Sequence, residues 1–300
     1  MSPNLPVSMS PCPSESSNLP ISQSPPPLRQ RRFRWSSVTH RGRVRKNNED
    51  AYIIFGCASN GPRVLPATKN DEPLLKEDLV FAVSDGMGGA NSGEMASQLV
   101  VEELSKLIPK SFRLLARHLE PDYTDLLTET IQGAHAKVIH EAKMNPEMEG
   151  MGATLSLCWF TPERMYYGHV GDSRVYYFSG GTMTQLTHDH TLPGELVRAG
   201  KISETEARQH PKRHILYQAI GSYIEQPDPQ TGAVIYEKGD RFLICSDGLV
   251  DGLWDKNIEN LVLKSSFPND LGAIVRSMFQ ESVAASGRDN ITLILIEVLE

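Results

Sequence analysis

Short apolar runs of strand length follow one another through the middle of the chain with no helical pattern between them. They cover residues 153–160, 165–170, 175–178 and 183–186. Consecutive strands without intervening helices favour antiparallel pairing, and Gly180-Gly181 between the last two runs predicts a hairpin. Runs of the same character recur at residues 79–83, 241–245 and 291–298.

Two longer segments have the residue spacing of amphipathic helices. One is predicted to begin near Asn91 or Ser92, where Glu94 is placed for a capping box on Asn91. Pro109 is predicted to end this helix, and the second helix follows Asp122. Because an amphipathic helix buries one face, each helix should cover a sheet. The predicted class is α+β, with sheet packed on sheet and helices outside.

Composition narrows the classes of function. A chain of 300 residues with 39% hydrophobic content can bury one large core. The net charge of -7, with 37 acidic against 30 Lys and Arg residues, argues against a general nucleic-acid-binding surface. The four cysteines form no paired spacing, which predicts thiols in a reducing compartment such as the cytoplasm. No apolar run reaches the roughly 18 residues that cross a bilayer, and no secretory signal pattern begins the chain, so no membrane association is predicted.

Residues 1–32 are rich in Pro and Ser and are predicted to be a disordered tail that precedes a single domain at 33–300. The tail ends in a basic cluster, Arg29, Arg31, Arg32 and Arg34. Such a cluster attracts phosphorylated partners in some proteins, but a solvated segment is the commoner case and the favoured interpretation.

Aspartates stand where apolar runs end. Asp85 and Asp247 each lie in a Ser-Asp-Gly sequence that directly follows an apolar run. Gly86 lets the chain turn after Asp85 and lets its own carbonyl approach an ion. Asp172 lies between two predicted strands, and Asp289 precedes the last one. Any one of them could simply cap a turn, but four clustered carboxylates need a cation. Oxygen ligands without a Cys or His pair indicate Mg²⁺ or Mn²⁺ rather than Zn²⁺.

A mixed basic and acidic segment, residues 42–50, leads into a strand at 51–55. Arg45 offers a planar fork for two phosphate oxygens, and Glu49 and Asp50 are placed to ligate metals or orient their waters. A segment of this kind alone is usually solvated surface, so the hypothesis depends on the acids elsewhere.

Together these motifs resemble the protein phosphatase 2C family, particularly its bacterial members. Six motifs occur in family order over residues 33–299, at 45–50, 85–89, 152–154, 171–174, 246–248 and 287–290. The resemblance implies a four-layer αββα sandwich, in which two antiparallel β-sheets are flanked by helix pairs and metals bind in a cleft at one end.

The resemblance also implies roles for the site residues. Asp85 would bridge two tightly bound metals, with the Gly86 carbonyl on one of them, and Asp247 and Asp289 on the other. Asp172 matches the position that holds a third, weaker metal in bacterial members.

In the same way, Glu49 and Asp50 would act mainly through ordered water, and Arg45 would hold the phosphate. The implied reaction is hydrolysis of phosphoserine and phosphothreonine in proteins by a hydroxide that bridges Mn²⁺ or Mg²⁺ ions, without a phosphoenzyme. The implied partners are phosphorylated proteins, substrates of a serine/threonine kinase, and the enzyme is expected to be a monomer.

The sequence departs from the family pattern at two positions. Met87 replaces a histidine proposed as general acid in many eukaryotic members, and Met has no proton to donate. His40 stands where bacterial members often have Asp, and we leave it out of the predicted site. A flap beside the cleft is expected at about 190–215. Ser203 with Glu206 forms a capping box there.

Two other functions compete with the phosphatase. A catalytically weak relative would use the same fold as a regulatory or scaffold module, but the four principal acids and Arg45 are all present. A two-metal phosphodiesterase also uses clustered acids. Turnover of phosphothreonine peptides or of diesters would separate these possibilities.

Overall fold

The computed structural model describes residues 31–58, 61–74, 77–88, 90–115, 122–265 and 269–300. The predicted disordered tail therefore lies outside the described residues, except that Arg31 and Arg32 already belong to the first strand. The strands are β1 (Arg31–His40), β2 (Asp50–Ala58), β3 (Gly61–Val64), β4 (Thr68–Leu74), β5 (Asp78–Met87), β6 (Gly152–Ala153), β7 (Leu155–Phe160), β8 (Met165–Val170), β9 (Arg174–Ser179), β10 (Thr182–Gln185), β11 (Ile220–Gly221), β12 (Gln230–Val234), β13 (Arg241–Cys245) and β14 (Ile291–Val298). The helices are α1 (Ala90–Leu115), α2 (Tyr123–Met144), α3 (Leu192–Arg198), α4 (Glu204–Gln209), α5 (Asp247–Gly252), α6 (Asp255–Leu263) and α7 (Leu271–Ala285).

The strands form two antiparallel sheets, as the uninterrupted series of apolar runs predicts. One has the order β10-β9-β13-β14-β1-β4. In the other, β5 pairs with β2 on one side and β7 on the other, β3 extends the sheet beyond β2, and β8 and β12 extend it beyond β7. Short strands β6 and β11 continue from the end of β5. The predicted hairpin forms between β9 and β10.

Three apolar clusters separate four layers. Phe81 and Phe160 from one sheet meet Phe33 and Phe242 from the other in the central cluster. A second cluster joins β5 and β7 to α1 and α2. A third joins the other sheet to α5, α6 and α7. The architecture is the αββα sandwich that the family resemblance implies.

The structure corrects the predicted limits of the first helix. The helix begins at Ala90, so Asn91 lies inside its first turn and is not the N-cap. The prediction that Pro109 ends the helix is wrong, because α1 continues to Leu115. A proline removes one backbone hydrogen bond, and here the fully buried Ile108 and Leu104 hold this turn against the core. The second helix is confirmed, with the Asp122 side chain accepting hydrogen bonds from the first turn.

The segment predicted to form a flap, residues 190–215, contains two short helices, α3 and α4. The Ser203 hydroxyl accepts a hydrogen bond from the Glu206 N–H, and the Glu206 carboxylate accepts one from the Ser203 N–H, which confirms the predicted capping box. Cys158 and Cys245 are buried free thiols in the two sheets. Within the described part of the chain, no helix combines the length and apolar character needed to span a membrane.

Candidate active site

A cleft of about 560 Å³ opens at one end of the sandwich, where strands from both sheets end. All the predicted site residues except Asp50 line it, although they come from five separate segments of the chain. These lining residues are Arg45, Glu49, Asp85, Gly86, Asp172, Asp247 and Asp289.

Asp85 is fixed by its place in the centre of a sheet. It lies opposite Asp50 in the pairing of β5 with β2. On the other side, the Asp85 N–H donates to Thr154 Oγ1 at 3.0 Å, and the Asp85 carbonyl accepts from the Thr154 N–H. The Thr154 hydroxyl also lies 2.6 Å from the Ser173 hydroxyl. Thr154 therefore joins the loop that carries Asp172 to the strand that carries Asp85.

Gly86 lies where three pieces of backbone meet. A Cβ atom at this position would stand 2.0 Å from the Gly93 carbonyl oxygen and 2.8 Å from that of Glu49. The Gly86 N–H also donates to the Glu49 carbonyl. A side chain at position 86 would thus push the first turn of α1 away from β5, a constraint separate from the access of an ion to the carbonyl.

Asp50 and Asp247 each keep one buried carboxylate oxygen, Oδ1, that accepts no hydrogen bond from any described residue. Asp50 lies behind the cleft, and its other oxygen accepts a hydrogen bond from the Ser246 hydroxyl at 2.8 Å. Asp247 is the first residue of α5. A buried carboxylate oxygen without a partner is costly, so both atoms are suited to face a cation.

Asp289 is followed by an asparagine that holds the first motif in place. Asn290 is 3% exposed, and its side-chain NH₂ donates to the carbonyls of Arg41 and Asn47. Its side-chain oxygen accepts from the Glu49 N–H at 2.7 Å. The loop before β2 and the start of β14 are consequently held together at the cleft.

Arg45 reaches the cleft from this loop. Its Nη2 donates to Asp289 Oδ2 at 2.7 Å, and its Nη1 lies 3.9 Å from Glu49 Oε2. The hydrogen bond that Arg45 donates to Asp289 raises the pKa of Arg45 above its ordinary value. With 45% of its side chain exposed, the guanidinium can also exchange this partner for a phosphate.

Asp172 lies between the cleft and a second cavity that extends toward the flap. Behind it, Arg174 makes two parallel hydrogen bonds to Asp189, at 2.8 and 2.7 Å. Arg174 thus pairs with Asp189 and not with Asp172, which lines the cleft.

Burial and mutual repulsion act on the whole group of acids. Burial raises the pKa of Asp50 and of Asp172 to about 7. Burial, followed by the charge of Asp50, holds the pKa of Asp85 well above its usual range, and burial followed by Asp172 does so for Asp247. Carboxylates in this condition are stabilised by a bound cation.

The donor atoms of the site are of the chemical type that a hard divalent ion binds. The donors are oxygen atoms only, two of them buried without partners, which is the set that Mg²⁺ and Mn²⁺ take. Among the described residues, however, no three Asp, Glu, His or Cys side chains converge closely enough to hold an ion in their present positions. Arg45 occupies one oxygen of Asp289, so ligation requires side chains to turn.

The residues that support the site were not predicted. Thr154, Ser246 and Asn290 lie within three of the six motifs, and the available signal was that their polar side chains lie beside buried strand ends. His214, from the flap, also lines the cleft, and nothing in the sequence marked it. His40 is not among the described residues that line the cleft, and its Nδ1 accepts a hydrogen bond from the Gly42 N–H.

Comparison with known proteins gives a consistent family. The model of the family described as Protein phosphatase 2C matches residues 74–290. Serine/threonine phosphatase stp of Listeria welshimeri is 32% identical over 260 residues, which cover 86% of this chain and 93% of that protein. Serine/threonine protein phosphatase PstP of Mycobacterium tuberculosis is 30% identical over 253 residues, 83% of this chain. The chain spans 46% of the length of PstP.

A solved structure of the catalytic domain of PstP, described as a complex with two manganese ions, superposes with a TM-score of 0.69. The identity is 27%, and the match covers 90% of this chain and all of that one. The chain therefore belongs to the protein phosphatase 2C family.

Proposed function

We propose that this chain is a metal-dependent protein serine/threonine phosphatase, with residues 33–300 as its catalytic domain and 190–215 as its flap. The observation that carries the proposal is the cleft, where Asp247, with one unpartnered carboxylate oxygen, lines the same cavity as the exposed Arg45. Asp50, which also has an unpartnered oxygen, lies behind the cleft. The family membership and the manganese-bound structure of PstP support the same function.

The acids of the cleft would hold the ions. Asp85 and the Gly86 carbonyl, with Asp247 and Asp289, would hold two, and Asp172 a third, weaker one. Glu49 and Asp50 would act mainly through ordered water. Mn²⁺ or Mg²⁺, when bound, neutralises phosphate charge and makes hydroxide available near neutral pH.

The chain's own residues bind and orient the substrate. Arg45 leaves Asp289 and donates its fork to two phosphate oxygens, which fixes the phosphorus for in-line attack. The described lining of the cleft contains no cysteine, which supports direct hydrolysis without a phosphoenzyme. Met87 borders the cleft and has no transferable proton, so the proton for the leaving alkoxide comes from another group.

The proposed substrates are proteins phosphorylated by a serine/threonine kinase. The proposed active form is a monomer, and the scattered cysteines support a cytoplasmic location.

The deciding experiment is turnover of phosphoserine and phosphothreonine peptides with Mn²⁺ or Mg²⁺, with a chelator control and a phosphodiester in parallel. We expect peptide turnover that the chelator abolishes. Turnover of the diester alone would indicate a phosphodiesterase, and turnover of neither would indicate a scaffold.

A further inference from the structure

The flap, residues 190–215, is held on the sandwich with little apolar packing of its own. Helix α4 has no buried side chain, and α3 has only Pro193. The flap is closed at its base, where Thr191 pairs with Leu216 and the Tyr217 N–H donates to the His190 carbonyl. Polar contacts must therefore fix the position of its far end.

Arg208 on α4 makes such a contact with the last turn of α5 and the residues that join α5 to α6, together called the α5–α6 junction. Its Nη1 donates to the Val250 carbonyl, and its Nη2 donates to the Leu253 carbonyl at 2.9 Å. The centre of its guanidinium lies 4.1 Å from the centroid of the Trp254 ring. Glu204, one turn earlier, accepts from Nε and Nη2 and so orients the fork.

The acceptors of this clamp belong to a rigid part of the core. Val250 is 7% exposed and Leu253 is 3% exposed, and both pack against α7 and the six-stranded sheet. The same short helix, α5, begins with Asp247 of the cleft. The first residue of α5 is therefore a site residue, and the other end of α5 accepts the hydrogen bonds from Arg208 of the flap.

A groove of about 370 Å³ lies between the flap and α5. It adjoins the cleft, because Asp172, His214 and Asp247 line both. Flap residues form one wall of the groove and α5 forms another, with Arg208 between them. A phosphate group with a small leaving group fits the cleft alone, whereas a peptide must continue beyond it.

We propose that Arg208 is a positioning residue that clamps the flap to the α5–α6 junction and so fixes the width of the groove, which receives polypeptide flanking the phosphorylated residue. This role rests on the proposed phosphatase function. The guanidinium is suited to it because its planar fork can bond two carbonyls while its face lies on an indole.

The test compares a phosphopeptide with p-nitrophenyl phosphate in the Mn²⁺-loaded full chain. We expect Arg208→Ala to raise the peptide KM roughly tenfold, with peptide kcat and both p-nitrophenyl phosphate parameters within about twofold of wild type. Arg208→Lys should behave like Arg208→Ala, because an ammonium cannot bond both carbonyls and lie on the ring. Lys201→Ala is the matched control, since it removes an exposed positive charge from the flap without touching the clamp.

A further variant separates positioning from direct contact with the peptide. Trp254 lies under Arg208 but is not among the described residues that line the groove, so Trp254→Leu should reproduce part of the rise in KM. A peptide KM that rises in Arg208→Ala and not in Trp254→Leu would overturn the positioning role. An unchanged peptide KM in Arg208→Ala, or an equal loss with p-nitrophenyl phosphate, would also overturn it.

Amide hydrogen exchange gives a readout that does not depend on turnover. Residues 192–209 should exchange faster in Arg208→Ala than in wild type or Lys201→Ala. Equal exchange in all three proteins would show that no clamp exists. If the wild-type chain hydrolysed neither substrate, the proposed phosphatase function would fail, and exchange would still decide whether Arg208 holds the flap.

Discussion

Arg45 binds Asp289 with 2.7 Å between Nη2 and Oδ2, so the residue proposed for phosphate is paired with a residue proposed for metal. The two sit on opposite ends of the sequence and meet because Asn290 holds both loops at the cleft. Metal binding needs the Asp289 oxygen that Arg45 occupies, and phosphate binding needs the Arg45 guanidinium that Asp289 holds. Phosphate binding and metal binding are consequently linked.

Because Arg45 is paired with Asp289, we expect one substitution of Arg45 to strengthen metal binding and to weaken phosphopeptide binding. Arg45→Ala should tighten Mn²⁺ binding by about 1.4- to 5-fold, because an exposed ion pair is worth about 0.2–1 kcal/mol, while it raises the peptide KM. Arg45→Lys should restore only part of the KM because the ammonium lacks the fork. Calorimetry and peptide kinetics measure the two effects, with the exposed Arg164→Ala as control. Arg45 is not the phosphate ligand if both variants match wild type in KM.

Replacing the carboxylate of Asp85 or of Asp247 by a neutral amide should abolish turnover. We expect Asp85→Asn and Asp247→Asn each to lose at least about 10³-fold in kcat when the metal-dependent nucleophile fails. Both should keep or raise the melting temperature of the metal-free protein, because a neutral amide removes repulsion among the buried acids. Asp125→Asn, an exposed change on α2, is the control. Near-normal activity in either folded variant would rule out the proposed metal site.

Asp172 should behave differently from these two acids. It borders the cleft on the flap side, and Mg²⁺ or Mn²⁺ ions with few protein ligands keep several waters and bind loosely. Asp172→Ala should lower kcat while leaving two tight metals by calorimetry. Loss of the tight metals would make Asp172 a principal ligand, and unchanged turnover over a wide Mn²⁺ range would make a third site dispensable.

Asp78 provides a pH test away from the cleft. It is 7% exposed, and burial raises its pKa to about 7 although the Trp159 indole N–H donates to it at 2.8 Å. Between pH 4 and 7, roughly, the folded form holds a proton that the unfolded form has released, so stability falls as pH rises through this window. Asp78→Asn should remove the part of that fall that Asp78 causes and stabilise the protein at pH 8 by about 1–4 kcal/mol. The buried acids Asp50 and Asp172, whose pKa is also raised to about 7, still contribute a fall of the same sign. Urea unfolding at pH 5 and pH 8 gives the free energy of unfolding of the wild type and of Asp78→Asn. An identical pH dependence of this free energy in the two proteins would contradict the prediction.

Much of the fold follows from local patterns. The runs at 165–170, 241–245 and 291–298 coincide with β8, β13 and β14, because apolar residues in short runs bounded by turns specify buried strands directly. The end of α1 could not be predicted in this way, since the burial of Ile108 outweighs the local cost of Pro109. Tertiary packing of this kind leaves no trace in residue spacing.

All the predicted site residues except Asp50 line one cleft, and the sequence indicated the aspartates because each lies close to the beginning or the end of an apolar run. The pairing of Arg45 with Asp289 and the clamp at Arg208 were not predictable. Their partners lie 244 and 42–45 residues away along the chain, and an arginine has no sequence pattern that tells a carbonyl clamp from a solvated charge.

The central position of β14 in its sheet affects how the chain folds while it is being synthesised. β14 lies between β13 and β1 in its sheet, so the first described strand finds its main partner only when residues 291–298 have left the ribosome. Until then β1 presents an unpaired edge with apolar residues, a state prone to association and a target for chaperones. Asp289 and Asn290 directly precede β14, so a nascent chain acquires this central strand and the last residues of the cleft in one step.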